Sequence, residues 1–304
     1  MSGHYSFTSS FAPFIESMIT EKRNAGFQYE HAEWILHKFD EFCNQEQVET
    51  PVITQELAGK WGTLRKTETK VTLAGRISVL RQLSLYMQAY GIKCYVPRNF
   101  TRKSNRNAYV LSLEEIQSLF LEIDSYQPTI NAEVFHRLAL EYRILFRVLF
   151  CCGLRVSEAR KLRLDTVDLE NGVLKIYQSK GSNDRLVYLP DDLRQLCCEY
   201  LKIMTVKYKI KSEWFFPASD PAKVLQVASV GKRFHRAWEQ TPYAREGALQ
   251  PTVHSLRHTF VVLRMNEWMK SGVKLDNMMP YLSKYLGHSS PDDTFYYYHQ
   301  VEEA

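Results

Sequence analysis

The sequence predicts a mainly α-helical protein with one small antiparallel β-sheet, an α+β architecture divided into two domains. Apolar residues recur at three- and four-residue spacing along most of the chain, which is typical of amphipathic helices. The exception is a group of short apolar segments around an Asn-Gly pair at 171–172, which predicts a β-hairpin. Residues 93–109 lack a hydrophobic period and separate a first domain, 1–92, from a second, 110–304.

The first domain is predicted to be entirely helical. Helices are expected at 11–24 and 30–43, and the second of these carries one apolar stripe. Thr54 can cap a short third helix. A longer fourth helix ends at Gly91, where a C-terminal glycine is expected. With about 90 residues, this domain is near the lower size at which one core is stable.

The second domain is predicted to combine helices with a small sheet. Ser112 to Glu115 form a capping box that begins a helix extending to about Ile123. Gly153 allows a tight break after an apolar helix. Further helices are expected at about 134–152, 191–206, 227–240, 254–270 and 278–286. Strands are expected at 167–169, 173–177 and 185–189.

The amino-acid composition indicates a globular protein. A hydrophobic fraction of 45% and a charged fraction of 24% are typical of a globular protein. Neither a signal peptide nor an apolar run long enough to span a bilayer is visible, so we expect a cytoplasmic protein. Four of the six cysteines form the adjacent pairs Cys151-Cys152 and Cys197-Cys198, which favours reduced thiols over disulfides.

The linker is strongly basic, although the whole chain has a net charge of only +5. Residues 93–106 contain five basic residues and no acidic one. Such a one-signed run is typical of a segment that crosses a phosphate backbone, and a solvated linker is the alternative. The expected nucleic-acid contacts are Arg98, Arg102, Lys103 and Arg106.

Arginines, histidines and tyrosines in the second domain indicate chemistry on a phosphate. His254 and Arg257 are three residues apart, so a helix places them on one face. Arg155 follows the Gly153 break, and Glu158 stands at helical spacing from it. Arginine presents a planar fork of donors that matches two phosphate oxygens. A tyrosine hydroxyl can act as a covalent nucleophile.

Six residues match, in order, the Arg, Lys, His-x-x-Arg, His and Tyr that are typical of the tyrosine recombinase family, also called the phage-integrase family. These six are Arg155, Lys180, His254, Arg257, His288 and Tyr297. His288 and Tyr297 are nine positions apart (297 − 288), the usual spacing in that family. The chain therefore resembles this family over roughly residues 110 to 300.

The resemblance implies a site-specific DNA recombinase or integrase of the kind found in phages, transposons and chromosome-dimer resolution. Tyr297 would attack a backbone phosphate and form a 3′-phosphotyrosyl bond. The two arginines and His288 would bind that phosphate, with Glu158 orienting Arg155. Lys180, in a hairpin loop, would protonate the departing 5′-oxygen.

The same resemblance implies what the protein works with. The helical domain would clamp one side of double-stranded DNA. Four protomers would act on two recombination sites, two per site, without a metal ion or other cofactor. Many relatives carry a longer C-terminal helix, whereas seven residues follow Tyr297 here (304 − 297). We therefore expect the coupling between protomers to be weaker or to come from other segments, such as the N-terminal helices.

Several alternatives stay open at this stage. His254 and His258 form a His-x-x-x-His pair, but no third zinc ligand is evident, so His258 is interpreted as a packing residue behind the site. Tyr296 and Tyr298 flank the predicted nucleophile on other helix faces. At the level of function, a type IB topoisomerase uses nearly the same residues. A non-catalytic DNA-binding regulator on the same fold is the third interpretation.

Overall fold

A computed structural model of the protein describes residues 5–98, 108–177, 184–245, 249–288 and 292–295. The chain divides into two compact units, Met1–Arg106 and Asn107–Ala304. No helix within the described ranges is both long and apolar enough to cross a membrane.

The first unit is helical throughout its described part. Its helices are α1 (Ala12–Asn24), α2 (Glu30–Gln45), α3 (Gln55–Trp61) and α4 (Lys70–Ala89). The hydroxyls of Thr54 and Thr69 accept backbone N–H groups at the starts of α3 and α4, which satisfies donors that have no partner within the helix. Phe39 and Trp61 pack edge to face in the core, where both side chains are fully enclosed.

The second unit contains the remaining elements. Its helices are α5 (Leu113–Ser125), α6 (Glu133–Cys152), α7 (Val156–Ala159), α8 (Asp191–Val206), α9 (Val227–Trp238), α10 (Val253–Lys270), α11 (Leu275–Leu286) and α12 (Asp292–Phe295). The strands β1 (Val167–Asp168), β2 (Val173–Ile176) and β3 (Arg185–Tyr188) form one antiparallel sheet in that order. The predicted fold class is confirmed.

Most boundaries lie within a few residues of those expected, and α11 differs most. It begins at Leu275, three residues earlier than predicted, and contains Pro280. Buried Leu275 and Met279 extend its apolar face, which favours helix despite the hydrogen bond that proline removes.

Helix α6 is the centre of this unit, with α8 and α10 packed against it. It ends at Gly153, whose φ of +60° is the left-handed conformation that favours glycine. A Cβ at this position would lie 2.4 Å from Cδ1 of Phe260 on α10. The turn therefore needs a glycine both for its backbone conformation and for the close packing of α10.

We predict that Gly153→Ala destabilises the second unit by about 2–4 kcal/mol, because it combines an unfavourable φ with a steric clash. Gly231→Ala is the matched control. Gly231 lies inside α9, and a Cβ added there would meet no neighbouring atom within 4 Å, so alanine should stabilise the unit by about 0.5–1 kcal/mol. Denaturant unfolding measures both. Equal effects of the two substitutions would contradict this account of the turn.

Candidate active site

The site begins at the Gly153 turn, which places Arg155 at the start of α7. Glu158 accepts the backbone N–H of Arg155 at 2.9 Å through Oε2, and Nη1 of the same arginine at 2.9 Å through Oε1. One carboxylate therefore fixes both the backbone and the side chain of Arg155. The Arg155 side chain is 23% exposed, so its guanidinium remains accessible from solvent.

Arg257 reaches the same place from α10. Its Nη1 donates to the Gly153 carbonyl at 2.7 Å, and its Nη2 donates to the Leu286 carbonyl at 2.8 Å. Nη1 also lies 3.9 Å from Oε2 of Glu158. The Arg257 side chain is 2% exposed, so its guanidinium is enclosed by protein, whereas that of Arg155 is accessible.

A third arginine, Arg185 at the start of β3, joins the cluster. Its Nη1 and Nη2 donate to Oε1 and Oε2 of Glu158 at 3.1 and 2.9 Å. The sequence patterns alone did not assign this residue a role. The available signal was strand alternation: Arg185 is two residues from Val187, which is fully buried, so both side chains are on the inner face of the sheet.

Glu158 stays ionised in spite of its position. Burial by itself would raise the pKa of its carboxyl. Hydrogen bonds and charge from Arg185, the backbone N–H of Arg155 and the charge of Arg257 outweigh burial, and the pKa lies below its ordinary value. The carboxylate is therefore a permanent counter-charge for the three guanidinium groups.

The C-terminus of α11 lies against the three arginines. Its last carbonyl groups have no partner within the helix and carry partial negative charge. Arg185 Nε donates to the Tyr285 carbonyl at 2.5 Å, and Arg155 Nη2 donates to the Gly287 carbonyl at 3.1 Å. Together with the Arg257 bond to Leu286, three successive carbonyls accept hydrogen bonds from three arginines. The arginines thus cap the helix that leads to His288.

His288 follows that cap and is held in one tautomer. Its Nε2 accepts from Nη2 of Arg257 at 3.0 Å, so the proton is on Nδ1, which donates to the Thr294 hydroxyl at 2.7 Å. Burial, followed by the charges of Arg257, Arg155 and Arg185, lowers the pKa of His288 to about 4. The ring is therefore neutral near pH 7.

His254 and His258 lie one helical turn apart on α10, with ring centroids 4.4 Å apart. His254 still reaches solvent, but surrounding protein and then the charges of Arg257 and Arg155 lower its pKa. Burial, then His254 and Arg257, lower the pKa of His258 to about 3. Within the described ranges, no group of three or more His, Cys, Asp or Glu residues is arranged to hold a metal ion.

Arg155, His254, Arg257 and His288 are thus brought together with Glu158 and His258. Lys180 and Tyr297, as well as Tyr296 and Tyr298, lie outside the described residues, and so do Arg102, Lys103 and Arg106. Arg98, the last described residue before the basic linker continues, is exposed. The roles assigned to these residues from the sequence stay predictions.

Comparison with known proteins places the chain among recombinases. Residues 110–304 match the model of the phage integrase family. A putative integrase/recombinase of Sinorhizobium fredii, y4rB, is 28% identical over 300 residues, which cover 95% of this chain and 92% of the relative. Tyrosine recombinase XerD of Pseudomonas aeruginosa is 30% identical over 172 residues, covering 55% of this chain and 52% of the relative.

Solved structures show the same fold. The XerH site-specific recombinase bound to palindromic difH substrate, in a post-cleavage complex, matches with a TM-score of 0.65 and 22% identity, covering 97% of this chain and 82% of that chain. A lambda integrase tetramer bound to a Holliday junction matches with a TM-score of 0.63 and 16% identity, covering 94% and 76% of the two chains. At these identities the likeness concerns the fold alone.

The histidines predict a specific loss of stability in mild acid. In the unfolded chain they bind protons near their ordinary pKa of 6.5, whereas the folded unit keeps His288 neutral down to about 4. Between these values the unfolded state binds more protons, so the second unit should lose stability as pH falls from 6.5 to 4. The stability that the ionised Glu158 contributes is lost only below its ordinary pKa of 4.5.

The measurement is the melting temperature of the second unit as a function of pH. His288→Asn should flatten the decline between pH 6.5 and 4 by roughly one proton. His235→Asn replaces an exposed histidine of the same unit, which pairs with Glu239, and is the control for replacing an imidazole at the surface. Parallel declines in the wild type and His288→Asn would show that His288 is protonated in the folded protein.

Proposed function

The chain belongs to the phage integrase family, and from this premise we propose that it is a site-specific DNA recombinase or integrase. It would cleave and rejoin DNA through a 3′-phosphotyrosyl intermediate. The observation that supports this proposal most directly is the convergence of Arg155 and Arg257 on one buried carboxylate, with the neutral His288 bonded to Arg257. Such a cluster is suited to a phosphate diester whose negative charge grows in the transition state.

In the proposed reaction the hydroxyl oxygen of Tyr297 attacks the scissile phosphorus. The bond from phosphorus to the 5′-oxygen breaks, and the 3′-phosphate becomes attached to tyrosine. The neutral imidazole of His254 accepts the phenolic proton, and Lys180 gives a proton to the departing 5′-oxygen. The second step reverses the first with the 5′-hydroxyl of a partner strand. One phosphodiester is exchanged for one phosphotyrosyl ester, so neither ATP nor a metal ion is consumed.

The arginines have distinct tasks in this scheme. Arg155, the most exposed of the three, binds a nonbridging phosphate oxygen first. Arg257 would supply a fixed donor for the charge that develops on the equatorial oxygens, and His288, which accepts a hydrogen bond from Arg257, would hold that guanidinium in place. Removing one such preorganised donor typically lowers a rate by about 10²–10³.

Partners follow from the same proposal. The protein would bind double-stranded DNA that carries its recombination sites, as a dimer on each site and a tetramer when two sites pair. The solved relatives support this, since one is a complex with a difH substrate and another is a tetramer bound to a Holliday junction. The DNA-clamp role of the helical first unit belongs to this proposal as well.

The covalent adduct is the direct test. Wild-type protein incubated with a nicked duplex carrying the DNA that flanks its gene should form a protease-sensitive protein–DNA adduct that survives denaturation and excess EDTA. Tyr297→Phe should bind the duplex normally and form none, because only the attacking oxygen is lost. Tyr296→Phe and Tyr298→Phe are matched controls that should retain the adduct.

An adduct that persists in Tyr297→Phe and disappears in one of the neighbouring variants would place the nucleophile elsewhere. Loss of the adduct on chelation would overturn the metal-free scheme. Product analysis separates the related reactions: exchange between two sites supports a recombinase, whereas relaxation of supercoils alone indicates a type IB topoisomerase.

The basic linker gives a second prediction. Replacing Arg98, Arg102, Lys103 and Arg106 by glutamine should weaken DNA binding without changing the preferred sequence, since backbone contacts carry no direct base information. If the linker contacts about three phosphates, the slope of log K against log salt should flatten by roughly three units. The control replaces the exposed lysines Lys202, Lys207, Lys211 and Lys223. An unchanged slope in the linker variant would identify a solvated linker.

A further inference from the structure

Arg185 lies where β3, α7 and α11 meet. Its Nη1 and Nη2 donate to both oxygens of Glu158, and its Nε donates to the carbonyl of Tyr285. The side chain is 7% exposed. Each of its three nitrogens donates to a group of the chain, and two of them bind the same carboxylate. Its arrangement is that of a residue that holds other residues in place.

We propose that Arg185 is a positioning residue for strand cleavage, fixing Glu158 and, through it, the orientation of Arg155 at the reacting phosphate. This inference rests on the proposed function in one respect, namely that the protein cleaves DNA. The contact on which it depends is the pair of hydrogen bonds from Nη1 and Nη2 of Arg185 to the two oxygens of Glu158, and this contact involves no DNA.

The hydrogen bonds of Glu158 show why a second arginine is needed. Each carboxylate oxygen accepts one bond from Arg155 and one from Arg185. The bidentate pair with Arg185 sets the plane of the carboxylate. Without it, Glu158 would be held mainly by Arg155, which is the residue that it has to orient. The carboxylate and Arg155 could then turn together, away from the incoming phosphate.

Charge leads to the same conclusion. The charged groups that face Glu158 are Arg155 immediately before α7, Arg185 on β3 and Arg257 on α10. The imidazoles of His254 and His288 lie around Arg257 and are neutral near pH 7. Arg185 opposes the effect of burial most strongly. Its removal should therefore make the carboxyl easier to protonate and loosen Arg155 as pH falls.

Arg185 also sets the end of α11. A Cβ at Gly287 would lie 2.8 Å from Nη1 of Arg185 and 3.6 Å from Nη1 of Arg155, so the two guanidiniums lie directly against this backbone. The next residue is His288. Arg185 thus supports the phosphate-binding side chains from two sides, through Glu158 and through the last turn of α11.

Two measurements on Arg185→Gln and Arg185→Lys test the proposal. The first is the titration of the Glu158 carboxyl by ¹³C NMR on the protein without DNA, assigned with Glu158→Gln. The second is single-turnover cleavage of the nicked flanking-DNA duplex at saturating protein, followed from pH 6 to 8. Arg194→Gln is the control, since Arg194 also donates to a backbone carbonyl near the sheet but has no contact with Glu158 among the described residues.

We expect Arg185→Gln to raise the pKa of Glu158. Cleavage should slow by on the order of 10- to 100-fold, with unchanged DNA affinity and a larger deficit at pH 6 than at pH 8. Arg185→Lys should recover part of the rate because it keeps the charge and one hydrogen bond. Arg194→Gln should behave as wild type in both measurements.

Three results would overturn the proposal. An unchanged Glu158 titration in Arg185→Gln would do so whether or not the protein cleaves DNA. If the cleavage rates of wild type and variant depend on pH in the same way, Arg185 supports the fold in general and does not act through Glu158. A loss of affinity that matches the loss of cleavage would make it a DNA ligand. Failure of the wild type to form an adduct would instead overturn the proposed function, and the NMR result would still decide whether Arg185 positions Glu158.

Discussion

The carboxylate of Glu158 is the constraint on which the site depends. Three guanidinium groups, from α7, β3 and α10, converge on a side chain that is 4% exposed. Positive charges placed this closely repel one another, and burial removes the water that would hydrate them. A buried negative charge offsets the repulsion, and backbone carbonyls accept hydrogen bonds from the N–H groups in place of water. Glu158 supplies the charge, and the end of α11 supplies three carbonyls. The result is a cluster of three arginines and one glutamate with a net positive charge, held together by the protein itself.

The backbone around this arginine cluster is equally constrained. Gly153 and Gly287 both have positive φ, and at both positions a Cβ would strike a side chain of the second unit. The first glycine lets α6 turn into α7 so that Arg155 meets Glu158. The second lets the end of α11 approach the arginines and present His288 to Arg257. Hydrogen-bond donors that are held in place in this way do not have to rearrange when they meet a developing negative charge.

Much of this could be predicted from the sequence, because helical periodicity and the Asn171-Gly172 hairpin are local signals. Arg155 and Glu158 were paired correctly from their spacing, as their hydrogen bonds show. Arg185 was missed as a member of the cluster because its partners, Glu158 and Tyr285, are 27 and 100 positions away along the chain. Local pattern gives no information on such contacts. The predictions for Lys180 and Tyr297 rest on the family resemblance, since both lie outside the described residues.

The most direct test of this account is a double-mutant cycle between Glu158 and Arg185, measured as the free energy of unfolding of the second unit. Glu158→Gln should destabilise that unit by about 3–5 kcal/mol, because it leaves buried guanidinium groups without their counter-charge. Adding Arg185→Gln should restore part of the loss, since the double variant removes one of the uncompensated charges. If Glu158→Gln is as stable as the wild type, or if the two losses simply add, Glu158 does not organise the arginine cluster.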